Sequence, residues 1–234
     1  FHKNNITCVC EGGVEGDDLC WYWSRLLNRQ GTNVILWTSD CDLKQLVHRD
    51  EETLCWTSWF NDKAGLVLPK VYDSSNEDLM DFFLMPTNEY PKLSVLRKDV
   101  EVKYNVSYMD PYTIINEKIM CGDVSDNIKS VVRVKSGVKT SRITPKDWER
   151  VCADLKIGDT NDLSERIDEV LKYILSMKKY SKCQDALEDI KEMFEYNKQL
   201  VWLHKSVMPQ PILSAINAHQ HDYKVCDIEY WRNN

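Results

Sequence analysis

Three short stretches of this chain gather acidic side chains in places where carboxylates can do chemistry. "EGDD" puts Glu15, Asp17 and Asp18 ahead of an amphipathic segment. "SDCD" puts Asp40 and Asp42 directly after an apolar run, and "CGDVSDNI" puts Asp123 and Asp126 in a polar turn. Each has a plain structural reading on its own, since acids at a helix N-terminus cap it and complement its dipole, and Ser and Asp are common in strand-to-helix loops. Asp40 and Asp42, two apart in extended chain, project to one side, and Asp123 and Asp126, three apart, share one side of a helical turn. If the stretches converge, their like charges repel unless cations lie between them. Hard oxygen donors of this kind suit Mg²⁺ or Mn²⁺ rather than zinc. Two such ions activate water and stabilise a leaving oxygen in phosphodiester hydrolysis, so convergence predicts a metal-dependent nuclease or phosphatase.

The elements that would have to position these acids are partly legible. Ile6 to Cys10 alternates and reads as a short strand. Leu19, Trp23, Leu26 and Leu27 recur at helical spacing, with Gly31 where a helix stop is expected. Val34–Trp37 reads as a buried strand, and the order strand, helix, strand predicts a βαβ unit with a parallel sheet. In an open parallel sheet the ligand crevice lies beyond the carboxyl ends of the strands, which is where Asp40 and Asp42 fall. The middle, from Thr53 to Tyr104, predicts short strands around a turn-like "NDKAG" and one helix, with "EDLMDFFLMP" among its mixed segments. From Asp110 onward the chain reads as mainly helical: "DPYTIINEKIM", then Leu163 to Met177, then Cys183 to Leu203, where Leu187, Ile190, Phe194 and Val201 form an apolar stripe.

A chain of 234 residues suits one large domain or a domain with an appendage, and the net charge of −7 argues against a protein that coats nucleic acid without specificity. It does not exclude a nuclease whose own aspartates hold metal ions. No apolar run approaches the roughly 20 residues that span a bilayer, and "FHKNNITC" lacks a signal-peptide pattern, so the expectation is a cytoplasmic protein away from membranes. Nine scattered cysteines without a C-x-x-C pair predict free, mostly buried thiols. Trp21, Trp23, Trp56 and Trp59 are expected in packing rather than base stacking, and His219 and His221 on the surface rather than on a metal.

The order of the three acidic stretches resembles the 5'-nucleases: flap endonucleases, the 5'-exonuclease domains of bacterial polymerases, and phage enzymes, most nearly the T-even phage ribonuclease H branch. That family shows an "EADD"-like helix start, an "SxDxD" strand end and a "GDxxDN" turn; here they are "EGDD", "SDCDLKQLV" and "GDVSDNI". "FHKNN" before the first strand and "FEYNKQLVWL" near the end extend the similarity over most of the chain. The resemblance implies an α/β fold: an incomplete PIN-like 5'-nuclease core with a parallel sheet over 1–108, with an insertion around 56–104. A mainly helical DNA-binding region with a helix-three-turn-helix element would follow over 109–234. It implies that Glu15, Asp17, Asp40, Asp42, Asp123 and Asp126 are catalytic, metal-facing acids for two Mg²⁺ ions, with Mn²⁺ as a substitute. Asp17 and Asp40, supported by Glu15, would serve one site, and Asp42, Asp123 and Asp126 the other, while Asp18 caps its helix.

The same resemblance gives the "GDVSDNI" turn and the basic residues after it, Lys129, Arg133, Lys135 and Lys139, the task of gripping duplex phosphates. No Asp or Glu lies between Asn127 and Lys146. A solvated basic loop is the alternative reading of this run. The implied substrate is a 5'-flapped DNA duplex or an RNA–DNA hybrid, handled by a monomer alongside a single-strand-binding protein and a sliding clamp. Two further family aspartates and a helical arch belong upstream of the "EADD" position, where this chain has fourteen residues before Glu15. With the non-Met start, that reads as the C-terminal portion of a longer enzyme. Two other readings stay open: a DNA-structure-binding module without catalysis, and a "DxD" phosphatase suggested by "DCD".

Overall fold

A computed structural model describes residues 12–70, 105–136, 139–157 and 163–218. The strand expected at Ile6 to Cys10, the segment "EDLMDFFLMP", and His219 and His221 lie outside the described residues.

Helix α1 (Gly16–Arg29) begins at Glu15, whose backbone N–H donates to Asp18 Oδ2 at 3.3 Å, so Asp18 caps as expected. It stops before Gly31, which takes φ +80°, a conformation that favours glycine. Strand β1 (Val34–Trp37) follows, then a 3₁₀ turn (Asp42–Leu46), β2 (His48–Arg49), and the hairpin of β3 (Trp56–Asn61) and β4 (Gly65–Pro69) around the "NDKAG" turn. Strand β5 is Val106–Met109.

Among the described residues the sheet runs β1-β3-β4-β5. β1 is parallel to β3, with Val34 opposite Thr57 and Trp37 opposite Phe60, and β5 is parallel to β4. β4 and β2 are antiparallel to β3, so the sheet is mixed rather than purely parallel. Trp56–Pro69, the start of the span expected as an insertion, is the central hairpin of this sheet. β1 is not a buried strand: Ile35 and Trp37 are 56% and 73% exposed. Among the described residues it pairs on one side only, and alternate residues turn outward.

Asn28, fully buried, fixes α1 to the sheet. Its Nδ2 donates to Trp56 O (3.1 Å) and Thr32 O (2.9 Å), and its Oδ1 accepts from Thr57 Oγ1 at 2.6 Å. Trp21, Leu46, Val47, Trp59 and Val67 form the core under this face, and Trp56, Leu66 and Leu68 form a smaller one. Trp21, Trp56 and Trp59 are thus packing residues; Trp23 is half-buried.

The remainder is mainly helical, as expected: α2 (Pro111–Cys121), α3 (Pro145–Leu155), α4 (Ile167–Ser176), α5 (Leu187–Val201) and α6 (Gln210–Asn217). The span from α2 to α3, expected as a helix-three-turn-helix, carries a two-stranded hairpin between its helices, β6 (Arg133–Ser136) and β7 (Lys139–Arg142). Buried Val132 and Val134 alternate with exposed Arg133 and Lys135, a period of two that a strand satisfies and a helix does not. Ile119, Met120, Val132, Ile143, Trp148, Val170, Ile174, Tyr180 and Phe194 share the helical core. α6 packs instead with the sheet-side core through Ile216, so the C-terminal part of the chain closes back on the α/β region. The six described cysteines are free; Cys121 is buried, whereas Cys41 is exposed. Among the described residues no helix is long and apolar enough to cross a membrane.

Asp147 ties the start of α3 to the chain after α4. Its Oδ2 accepts from Thr144 N and Oγ1, from Lys179 Nζ at 2.9 Å and from Tyr180 OH at 2.7 Å. These donors outweigh burial and hold its carboxyl well below the usual range. A carboxyl whose folded pKa is depressed adds stability above its unfolded pKa of about 4 and loses it as pH falls toward the folded value. Asp147→Asn should therefore lower stability at neutral pH by about 1–3 kcal/mol, with the gap from the parent protein narrowing below about pH 4, measured by urea unfolding across pH.

Candidate metal centre and nucleic-acid interface

Asp42 and the Asp123–Asp126 pair are about eighty positions apart in sequence and come from different elements. Oxygen atoms from Asp42, Asp123 and Asp126 all lie within 4.8 Å of one another. Asp42 opens the 3₁₀ turn after β1, and its N–H donates to Asp40 Oδ1 at 2.9 Å. Trp59, buried in β3, anchors this loop by donating its indole N–H to Asp40 O at 2.8 Å. Leu43 and Leu46 then bury the turn against the sheet-side core.

The second arm is the turn after α2. Gly122 takes φ +74°, and a Cβ there would stand 2.5 Å from both Ile128 O and Ser130 N, so the helix can end this way only at glycine. Asp123 and Ile128 exchange backbone hydrogen bonds of 3.0 and 2.7 Å, closing the turn. Asp123 Oδ1 accepts from the N–H (2.8 Å) and the hydroxyl of Ser125. Fully buried Asn197 on α5 holds the turn from beneath, donating through Nδ2 to Ile119 O (2.8 Å) and Lys129 O (2.7 Å).

A cation does sit among these acids, and it is a side chain. Lys118 Nζ contacts Asp42 Oδ2, lies 2.7 Å from Asp123 Oδ2 and 3.8 Å from Asp126 Oδ2. The Lys118 and Ser125 hydrogen bonds pull the Asp123 carboxyl down to about 2. Burial and the charge of Asp123 push Asp126 up. On α1, burial first and then the charges of Asp40, Glu15 and Asp42 push Asp17 up, so the acids of α1 and the β1 loop share one negative field. Among the described residues Glu15, Asp17 and Asp40 do not close into a second ligand group with Asp42, Asp123 and Asp126; Glu15 and Asp40 are exposed and Asp17 is half-buried.

The all-carboxylate donor set fits a hard divalent cation, and the position of Lys118 shows that the arrangement demands positive charge. Sequence reasoning missed Lys118 and Asn197. Each had a signal: Lys118 lies four residues before Gly122, and Asn197 interrupts the apolar stripe between Phe194 and Val201.

Beside the turn, Lys129 is exposed, and Arg133, Lys135 and Arg142 are exposed on the hairpin. Arg133 is directly opposite Arg142 in the antiparallel register, so two guanidinium side chains leave the same face. Like charges directly opposite destabilise a strand pair, and a polyanion across this face would relieve them. Lys139 opens β7 opposite Ser136.

No family model and no curated protein matches the chain. Among solved structures it is similar to a mutant of T5 5'-exonuclease (18% identity, TM-score 0.44, covering 89% of this chain and 65% of that one). It is similar also to a T5 protein co-crystallised with metal ions (19%, 0.48, 91% and 60%) and to zinc-bound T5 5'-exonuclease (18%, 0.46, 89% and 59%). The chain spans less than two thirds of the length of each.

Lys118→Met should raise the Asp123 carboxyl by at least about one pKa unit, read by carboxyl-carbon NMR titration, because its neutralising partner is gone. Asn197→Ala should cost about 2–4 kcal/mol in chemical unfolding, since two buried carbonyls lose their donors.

Proposed function

We propose that this chain carries part of the acidic centre and the duplex-holding surface of a metal-dependent, structure-specific 5'-to-3' nuclease, in its finer form an RNA-primer-removing ribonuclease H and flap endonuclease of phage DNA replication. The convergence of Asp42 with Asp123 and Asp126 carries this reading, because distant acids assembled at repulsive range fit a cation-dependent centre. Asp42, Asp123 and Asp126 would hold one ion through carboxylate oxygens. Asp17 and Asp40, with Glu15 beside them, would supply donors for a second. When bound, Mg²⁺ or Mn²⁺ would lower the pKa of water and neutralise charge on a phosphodiester. Lys118 keeps the acids assembled without an ion, and its ammonium group would have to yield position as the ion enters. Lys129, Arg133, Lys135 and Lys139, with Arg142, would grip backbone phosphates next to the acids, which positions a duplex without reading its sequence.

The seat of Lys118 favours a second reading, a DNA-structure-binding module without catalysis, in which the lysine permanently neutralises the acids. Cleavage of a 5'-labelled flap duplex in Mg²⁺ and in Mn²⁺, beside Asp42→Asn and Asp126→Asn, separates the two. The nuclease reading expects cutting that each substitution lowers by at least about a hundredfold. Salt-dependent binding without cutting would support the second reading, and the absence of both would sink both. Arg133→Gln and Lys135→Gln should each reduce the salt slope of binding by about one, in a log K against log salt plot.

A further inference from the structure

Away from the acidic cluster lies a second concave region, in which Lys and Arg side chains outnumber carboxylates. A cavity of about 1130 Å³ opens between α1, β2, the start of α2 and the chain after α5. Arg25, Arg29 and His48 line it together with the rings of Tyr22 and Tyr112; Trp202 also lines it but is already stacked on His204 and lies under the Lys198 ammonium. Tyr112 stands near the start of α2 while Lys118 and Asp123 stand near and just past its end, and eleven residues make a helix about 16 Å long. The cavity is therefore distinct from the acidic cluster.

Arg25 is half-buried, and among the described residues nothing accepts a hydrogen bond from its guanidinium or forms an ion pair with it. Its charged neighbours are Arg29 and Asp50. Asp50 is already engaged, accepting from Glu52 N, Thr53 N and Thr53 Oγ1. Asp110, at the same rim, caps α2 by accepting from Tyr112 N at 2.9 Å. Burial, then the charge of Arg25, pulls His48 down to about 4, and burial pulls Arg25 down to about 10. Glu51 also lines the cavity, yet Arg25 is partly desolvated beside a second arginine and no carboxylate pairs with it among the described residues, so a further anion would stabilise it. Arginine forks match phosphate oxygens in two-point fashion, and aromatic faces stack on bases.

We propose that this cavity binds a phosphate-bearing nucleotide unit, its phosphate held by Arg25, Arg29 and His48 and its base lying against the rings of Tyr22 and Tyr112. The unit can come from a free nucleotide or from a single strand, and the chemistry of the site is the same for both. The proposal does not rest on the nuclease reading.

Inorganic phosphate, thymidine monophosphate and a six-residue oligothymidylate, titrated into the full chain by calorimetry in metal-free buffer, test it. Saturable binding of at least the mononucleotide or the oligonucleotide is expected, weakened by about tenfold or more in Arg25→Gln and recovered in part in Arg25→Lys. His48→Gln, checked for folding by circular dichroism with the others, serves as the second variant should Arg25→Gln unfold. Equal affinity for both nucleotide probes assigns the site to free nucleotide, and tighter oligonucleotide binding with the same Arg25 dependence assigns it to a strand. Binding that ignores Arg25 and His48, or saturation by none of the three probes, overturns the proposal. Loss of flap cleavage with this binding intact would touch only the nuclease reading.

Discussion

Three carboxylates within 4.8 Å of one another repel, and much of this structure holds them together around the Lys118 ammonium. Helix α2 delivers Lys118 to the place, Gly122 turns the chain sharply enough for Asp123 and Asp126 to face back, and Asn197 holds the turn by two buried hydrogen bonds. Asp123 is more acidic than its neighbour Asp126 because Lys118 and Ser125 donate hydrogen bonds to it, whereas burial and the charge of Asp123 push Asp126 up.

The site is a seam between two cores. The sheet side supplies Asp42 through a loop pinned by the Trp59 indole, and the helical side supplies the turn and the basic hairpin. The 3₁₀ turn after β1 packs against α2, so a shift of either core would separate the acids. Asn28 and Asn197 play similar parts on the two sides: each is a fully buried amide whose Nδ2 donates to carbonyls of two separate segments, although Asn197 Oδ1 has no partner among the described residues. Buried amides of this kind specify register, because an alternative packing would leave several polar groups without partners.

Positive charge is used in two ways on this acidic protein. On the β6–β7 hairpin it is exposed, screened by solvent and free to follow a flexible polyanion. In the cavity beside α1 the Arg25 guanidinium is half-buried, with exposed Arg29 one helical turn away.

The sequence by itself determined several local elements, though not α3 or α6: α1 with its Asp18 cap and Gly31 stop, the strand at Val34–Trp37, the turn between β3 and β4, and the helices at Pro111–Cys121, Ile167–Ser176 and Leu187–Val201. Each follows from period, cap or turn chemistry within a few residues. It also picked out Asp42, Asp123 and Asp126, through the order of three short motifs. It could not decide that Val34–Trp37 is exposed on alternate residues, since strand burial depends on which neighbours pair. Nor could it decide that the basic run is a hairpin, since in sequence the run reads only as a phosphate-gripping stretch or a solvated loop. The sequence carries local signals for Lys118 and Asn197, but that Lys118 sits amid the acids, that Asn197 lies beneath the turn and that His48 stands beside Arg25 is decided by tertiary structure. Charge and hydrogen bonding act through space, and separations of tens of residues in the chain become a few ångströms only when the cores close.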